Sequence, residues 1–223
     1  MALRPWDIAN LCEGAVRVVA APISQAIPTN IADAIGMIAP YNVNSSWFDF
    51  GAAKGGEGGE YSRSIESEGQ DIEQESGAIM TSITDIGRSF AFNIAEIAED
   101  NLVIIENAGA VETVAAAPNK GAQQAVPIGT FEQLEKYRIG FIGVRPKDAG
   151  IVTEPVGGIT RGRLLACFLN RVTLSADEAS LTMEKGSLWS ADVTFEGYPE
   201  PGEDTDESYG RWLSEAAGTI SAT

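Results

Sequence analysis

The stretch SLWSADVTFEGY, residues 187–198, decides the fold. Trp189, Ala191, Val193 and Phe195 alternate with Ser190, Asp192, Thr194 and Glu196. A period of two puts the apolar set on one face of a β-strand and the polar set on the other. Trp189 is accordingly expected in the core. Working outward, YRIGFIGVR (137–145) and GRLLACFLNRVTLS (162–175) are also strand-like, with Gly, Pro and acidic turn residues between them. AVRVVAAP (15–22) reads as a first strand closed by Pro22. From Glu60 to Glu68 the alternation returns: Tyr61, Arg63 and Ile65 point one way, and Ser62, Ser64, Glu66 and Glu68 the other. Another extended segment runs from Ala78 to Phe92, with Phe90 and Phe92 on one face.

One segment has a helical period instead. In NIAEIAEDNLVIIENAG (93–109), Ile94, Ile97, Ala98, Leu102 and Ile105 form a single stripe. Asn93 is placed to cap it with Glu96 three residues on, and Gly109 stands where a left-handed residue closes a helix. Residues 23–44 are irregular and moderately apolar. Residues 110–130, rich in small residues and proline, read as a long loop or a meandering edge. Several strands around one helix indicate a mainly β sandwich or barrel. The expected organisation is an N-terminal arm over 1–13, one domain over 14–201, and a C-terminal extension over 202–223. The acidic run EPGEDTDES (200–208) leads into that extension, which is expected to be ordered through Tyr209 and Trp212.

Composition removes several classes of function. The 223 residues carry a formal charge of −17 and no histidine, so His-based acid–base catalysis, metal ligation and pH switching are absent. That charge repels phosphates and argues against nucleic-acid binding of the usual basic kind. Cys12 and Cys167 lie far apart, without CxxC spacing; Cys167 is expected in the core, with a Cys12–Cys167 disulfide the lesser reading. No run of about 18 uncharged apolar residues suggests a membrane span, and no export signal is visible at the N-terminus.

Motifs for small-molecule chemistry are equally scarce. GAAKGGEGG (51–59) lacks the GK[ST] of a phosphate loop and reads as a flexible hairpin tip. Glu66, Glu68, Asp71, Glu73 and Glu75 do not follow a calcium-loop pattern and read as a solvated acidic face. Neither GxSxG nor SxxK occurs to activate a serine, so no enzymatic activity and no cofactor are expected. Trp6, Trp47, Phe48 and Phe50 lie in segments without a clear period, and serve either as core plugs or as anchors for another subunit.

The order of these pieces resembles the major tail protein, or tail tube protein, of bacteriophages with long non-contractile tails. The matching segments are GAVRVVAAP near the start, WFDFGAAKGG followed by YSRSIESEGQDIEQESGAI, the FNIAEIAEDNLVIIENA helix, and the closing LWSADVTFEGYPEP. Together they span roughly residues 14–201. The resemblance implies a β-sandwich with a flanking helix and a long inter-strand loop, assembled into hexameric rings that stack into a tube. It implies no catalytic residue and no metal. In that frame the loop with Trp47, Phe48, Phe50 and Lys54 belongs to the ring-stacking surface, where the aromatics gain burial a lone subunit does not supply. Glu66, Glu68, Asp192 and Glu196 would line the channel, where like charge keeps passing DNA from sticking. The implied partners are further copies of the chain and the tape measure, tail terminator and tail-tip proteins. The implied location is the virion tail, after synthesis in the host cytoplasm. A virion tail-tip or surface-binding adhesion domain is the competing reading; it would hold a glycan or receptor in an aromatic pocket rather than polymerise.

Overall fold

The computed structural model describes residues 13–37, 42–51, 59–71, 78–95, 97–108, 110–129, 132–147, 150–154, 158, 160–183, 185, 189–204 and 206–219. The fold is mainly β. An eight-stranded antiparallel sheet contains β1 (Glu13–Pro22), β2 (Phe48–Asp49), β3 (Glu60–Asp71), β4 (Ala78–Ile94), β7 (Tyr137–Val144), β10 (Leu164–Thr182), β11 (Ser190–Gly197) and β12 (Gly210–Ser214). Two small sheets flank it: β5 (Glu112–Val114) with β6 (Gln123–Ala125), and β8 (Ile151–Thr153) between β9 (Thr160–Gly162) and β13 (Gly218–Thr219).

Strand β10 makes this sheet a sandwich. Over Leu164–Leu169 it pairs with β7 on one side and β12 on the other; from Val172 onward it pairs with β11. Register shifts between Leu169 and Val172 and between Leu174 and Ala179 let one strand serve both layers. The first layer therefore reads β2-β1-β7-β10-β12 and the second β10-β11-β4-β3. Aromatic side chains close the space between them. Phe141 of β7 lies 4.2 Å from Phe90 and 5.3 Å from Phe92 of β4, ring centre to ring centre, and Phe50 lies 5.1 Å from Phe92 and 5.9 Å from Phe195.

The centre of layer one, β1, β7 and the first half of β10, is buried on both faces. Val18, Ala20, Ile139, Cys167 and Leu169 face the space between the layers. Val19, Ala21, Ile142, Ala166 and Phe168 face a second cluster, roofed by Ile31, Ala34, Ile35 and Trp47. Within the segment that is irregular by sequence, residues 23–37 thus supply a roof, built on a 3-10 turn over Ile31–Asp33. Asn30 Oδ1 accepts from the Ala32 N–H at 3.0 Å, and Asp33 accepts from the Thr29 and Asn30 N–H groups at 2.7 and 2.8 Å. Arg138, also buried, donates Nε to the Gln25 carbonyl at 2.6 Å and Nη2 to that of Ile23 at 3.2 Å, tying the roof's entrance to β7.

The helix is shorter than its periodicity suggests. Helix α1 spans Glu99–Ile105, with Ala98 at its N-cap making no side-chain capping bond. Asn93 and Ile94 belong to β4 instead: they pair with Asp192 and Ala191 of β11, and both are buried. The neighbouring strand claims the first turn of the expected helix, because Phe90, Phe92 and Ile94 extend a two-residue alternation into the core. Asn101 and Ile104 are the fully buried helical residues; of the expected stripe, Ile94 is buried and Ile97 and Ile105 pack half-buried against the core. At the other end Asn107 takes the left-handed conformation (φ 50°), and the Asn107 and Ala108 N–H groups bond the Ile104 and Val103 carbonyls at 3.1 and 2.8 Å. That is the closure expected of Gly109, which like Glu96 lies outside the described residues.

Two further expectations are corrected. Trp189 is 54% exposed, because the ladder of β11 with its neighbours starts at Ser190 and the indole stands before it. The C-terminal segment is ordered through Tyr209 and Trp212, as expected, but as part of the main sheet: β12 pairs with β10, Tyr209 Oη donates to the Ile86 carbonyl at 2.6 Å and Trp212 meets Tyr61. Residues 110–130 contain the exposed β5–β6 pair. Cys167 is a free, buried thiol whose pKa burial pushes up to about 12; Cys12 lies outside the described residues.

Candidate functional site

The four acidic residues singled out by sequence share one face of layer two. Glu196 pairs across the ladder with Ser89 and Ser89 with Ser62; Asp192 pairs with Asn93; Glu66 pairs with Asp85, and Glu68 follows two residues along β3. Glu60, Ser64 and Thr194 sit in the same alternation. The opposite face of these strands carries Phe90, Phe92, Val193 and Phe195 in the core. Layer two is therefore apolar inward and acidic outward. Hydroxyl and amide donors hold its carboxylates in place: Glu196 accepts from Ser175 Oγ at 3.0 Å and from Tyr198 Oη at 2.9 Å, and Asp192 accepts from Asn93 Nδ2.

Strands β3 and β4 run on past the sandwich as a two-stranded arm. Residues 63–68 and 83–85 are exposed on both faces, so here the alternation of the sequence separates two wet faces rather than core from solvent. Ile65 is 46% and Ile83 60% exposed, and β3 has no partner on its outer edge among the described residues. An unpaired edge of twelve residues is a template for another strand.

The loop before the arm differs from its expected role. Trp47 and Phe50 are 5% and 1% exposed, within this chain's own core. Trp47 sits edge-on to Phe168 at 5.7 Å, and Phe50 caps the aromatic cluster while its carbonyl accepts from Asn101 Nδ2 at 3.0 Å. The strand pairing of Phe48 with Ala20 turns both rings inward, so neither waits for a neighbour to be covered. Phe48 is half-buried against the same cluster, and Lys54 lies outside the described residues. Two of the glycines have definite duties. Gly51 has φ 78°, and a Cβ on Gly59 would meet the Phe141 ring at 2.0 Å.

Sequence reading overlooked a cleft of about 650 Å³ where the arm leaves the sandwich. Arg63 and Arg88 stand directly opposite each other across β3 and β4, a like-charge pairing that destabilises a ladder. Neither has an ion-pair partner among the described residues; Arg88 lies over the Tyr209 ring at 5.4 Å. Trp212, 57% exposed, meets Tyr61 edge-on at 5.7 Å, and Arg211 pairs with Glu207 at 2.7 Å. Burial raises the Tyr61 pKa against the opposing pull of Arg88 and Arg63. The legible signal was the adjacent Arg211 and Trp212 of RWL beside the YSR alternation; what hid it was the roughly 150 residues of sequence between them, which the β10–β12 pairing helps to bridge.

No family model matches this chain, and no curated protein matches it. What the fold defines is a class: a mainly β sandwich with one short flanking helix, an acidic outer face and a projecting two-stranded arm. Among the described residues, no helix is long and apolar enough to cross a membrane.

Proposed function

We propose that the chain is the structural subunit of a phage tail tube, forming stacked hexameric rings whose negatively charged channel conducts the genome during ejection. The observation that supports this best is the division of layer two into an apolar inner face and a polar outer face whose charged side chains, Glu60, Glu66, Glu68, Asp85, Asp192 and Glu196, are all acidic and reach onto the arm. A surface meant to pass a polyanion needs low affinity for it. Carboxylates at Glu66, Glu68, Asp192 and Glu196 supply repulsion, where lysines would recruit phosphates through counterion release. The free edge of β3 supplies the second requirement, because strands added edge to edge around a ring leave no unpaired edge behind.

Electron microscopy of the purified protein at rising concentration tests the assembly; hollow rings or tubes are expected. Replacing Glu66, Glu68, Asp192 and Glu196 together by lysine should leave tubes intact while DNA ejection slows, most strongly at low salt. A monomer at every concentration and in phage lysates would overturn the assembly reading. Tubes with unimpaired ejection would remove the acidic face from the channel. A monomer that instead retains a glycan or receptor fragment would support the adhesion-domain reading.

A further inference from the structure

We infer that Trp212 of one copy of this chain docks into the apolar groove beside α1 of a second copy, giving a head-to-tail contact between subunits. This rests on the assembly reading above and names the surfaces that would carry it.

The two surfaces lie at opposite sides of layer one. Across that layer β12 is outermost on one side and β2 on the other. On the β12 side Leu213 packs inward against the second core cluster, which turns Trp212 to the other face; there its ring rests on Tyr61 and more than half of it meets solvent. Large aromatic rings held in a fixed pose at a surface are the residues most often found at the centre of protein contacts. On the β2 side a groove of about 680 Å³ opens between α1 and the ends of β1 and β7. Its walls are Pro22, Phe48, Val103, Ile104, Ala108 and Tyr137. It is the more apolar of the clefts described, and large enough for an indole.

Charge follows the same complementarity. The collar of Trp212 holds Arg63, Arg88 and Arg211 against Asp206 and Glu207, a net positive spot on a chain of net charge −17. The lip of the groove holds Asp100 and Glu135 against Lys136, a net negative one. Opposite signs on the two sides favour one side meeting the other, and disfavour either meeting its own kind. Knob and hole on different sides of a molecule make a heterologous contact, which closes into a ring when the rotation per copy allows. Such a contact also brings counter-charge to the Arg63–Arg88 pair, which no carboxylate among the described residues of its own chain neutralises.

Complementary disabled copies test this. Trp212→Ala lacks the knob and keeps the groove; Val103→Lys blocks the groove and keeps the knob, with Ala110→Lys, an exposed position on the same groove, as a second blocker should the helix not tolerate the first. By sedimentation velocity, each variant alone should need roughly 30-fold more protein than wild type to assemble, the loss typical of a central aromatic anchor. Mixed in equal amounts, they should form a complex of two copies and stop there, because only one knob and one groove remain usable. Circular dichroism verifies that each is folded. Variants that assemble like wild type, or a mixture that behaves as the sum of its parts, overturn this contact while assembly itself stands. A wild-type protein that stays monomeric throughout overturns both.

Discussion

Strands β1 and β7 and the first half of β10 are covered on both faces, whereas β3 and β4 over residues 63–68 and 83–85 are covered on neither. Both regions are antiparallel ladders of the same sheet. The difference lies in where each finds its stabilisation. In the covered layer, Val18 and Ala20 pack one way and Val19 and Ala21 the other, so four consecutive residues are buried and alternation disappears. In the arm, alternation persists with nothing to bury it, and the ladder is supported only by cross-strand pairs worth a fraction of a kcal/mol each. One region is stable within the subunit. The other has the composition of a strand pair that awaits company.

The test with the largest expected effect removes the covered layer's own aromatics. Phe50→Ala should cost about 3–5 kcal/mol and Trp47→Ala a similar amount, through lost burial and the cavities left behind. Urea midpoints on purified subunits would measure both. Trp47→Phe should recover most of the loss, because the indole N–H has no hydrogen-bond partner among the described residues and its removal leaves no orphan. A midpoint unchanged by Trp47→Ala would mean that the roof over Phe168 contributes nothing and that the ring is free for an intersubunit role.

How far this division was legible follows from which signals are local. Strict alternation from Ala191 to Glu196 announced β11 and the face of each residue, and the same reading set Glu66, Glu68, Asp192 and Glu196 on one polar surface, where they lie. Alternation says which residues share a face, not whether anything covers it; Tyr61 is against the core while Ile65, four residues along the same face, is in water. The burial of Trp47 and Phe50 was illegible for the complementary reason: what turns them inward is the pairing of β2 with β1, nearly thirty residues away in the chain. The helix start failed because Asn93 and Ile94 satisfy two periods at once, and contact with β11 chose between them. The cleft at Trp212 needed the pairing of β12 with β10, Leu165 with Ser214 through Leu169 with Gly210, which nothing local announces.

Disturbing the arm should have a smaller effect on the subunit and a larger one beyond it. Ile65→Ser with Ile83→Ser, both at exposed positions, should shift subunit stability by no more than about 0.5 kcal/mol each. The same pair of changes should raise the concentration needed for assembly. Hydrogen exchange sharpens the comparison: amides of β3 and β4 beyond Arg63 and Arg88 should exchange well before those of β7 in the free subunit, and become protected in assemblies. Equal protection of the two regions in a monomer would erase the distinction between them.

The smallest effect belongs to the roof of the covered layer, and its pH dependence gives it away. Burial of Asp33 raises its pKa, but the N–H groups of Asn30 and Thr29 and the Thr29 hydroxyl more than offset this, leaving it below the ordinary carboxylate value of 3.8. A folded-state value below the unfolded one means that the ionised form favours folding. The contribution is therefore complete above the unfolded value and fades as pH falls through the folded one. Asp33 is mostly exposed, so screening by water keeps the amount small; Asp33→Ala at pH 7 should cost roughly 0.5–1 kcal/mol, in the lower part of the range for lost caps. Urea midpoints of wild type and variant should draw together as pH falls through the ordinary carboxylate value of 3.8 and below it. A gap as wide at pH 2 as at pH 7 would show that the carboxylate's charge contributes nothing. The roof over Trp47 and Phe168 would then be held by Ile31, Ala34 and Ile35 alone, and the doubly covered layer would owe its outer face to packing without the capped turn.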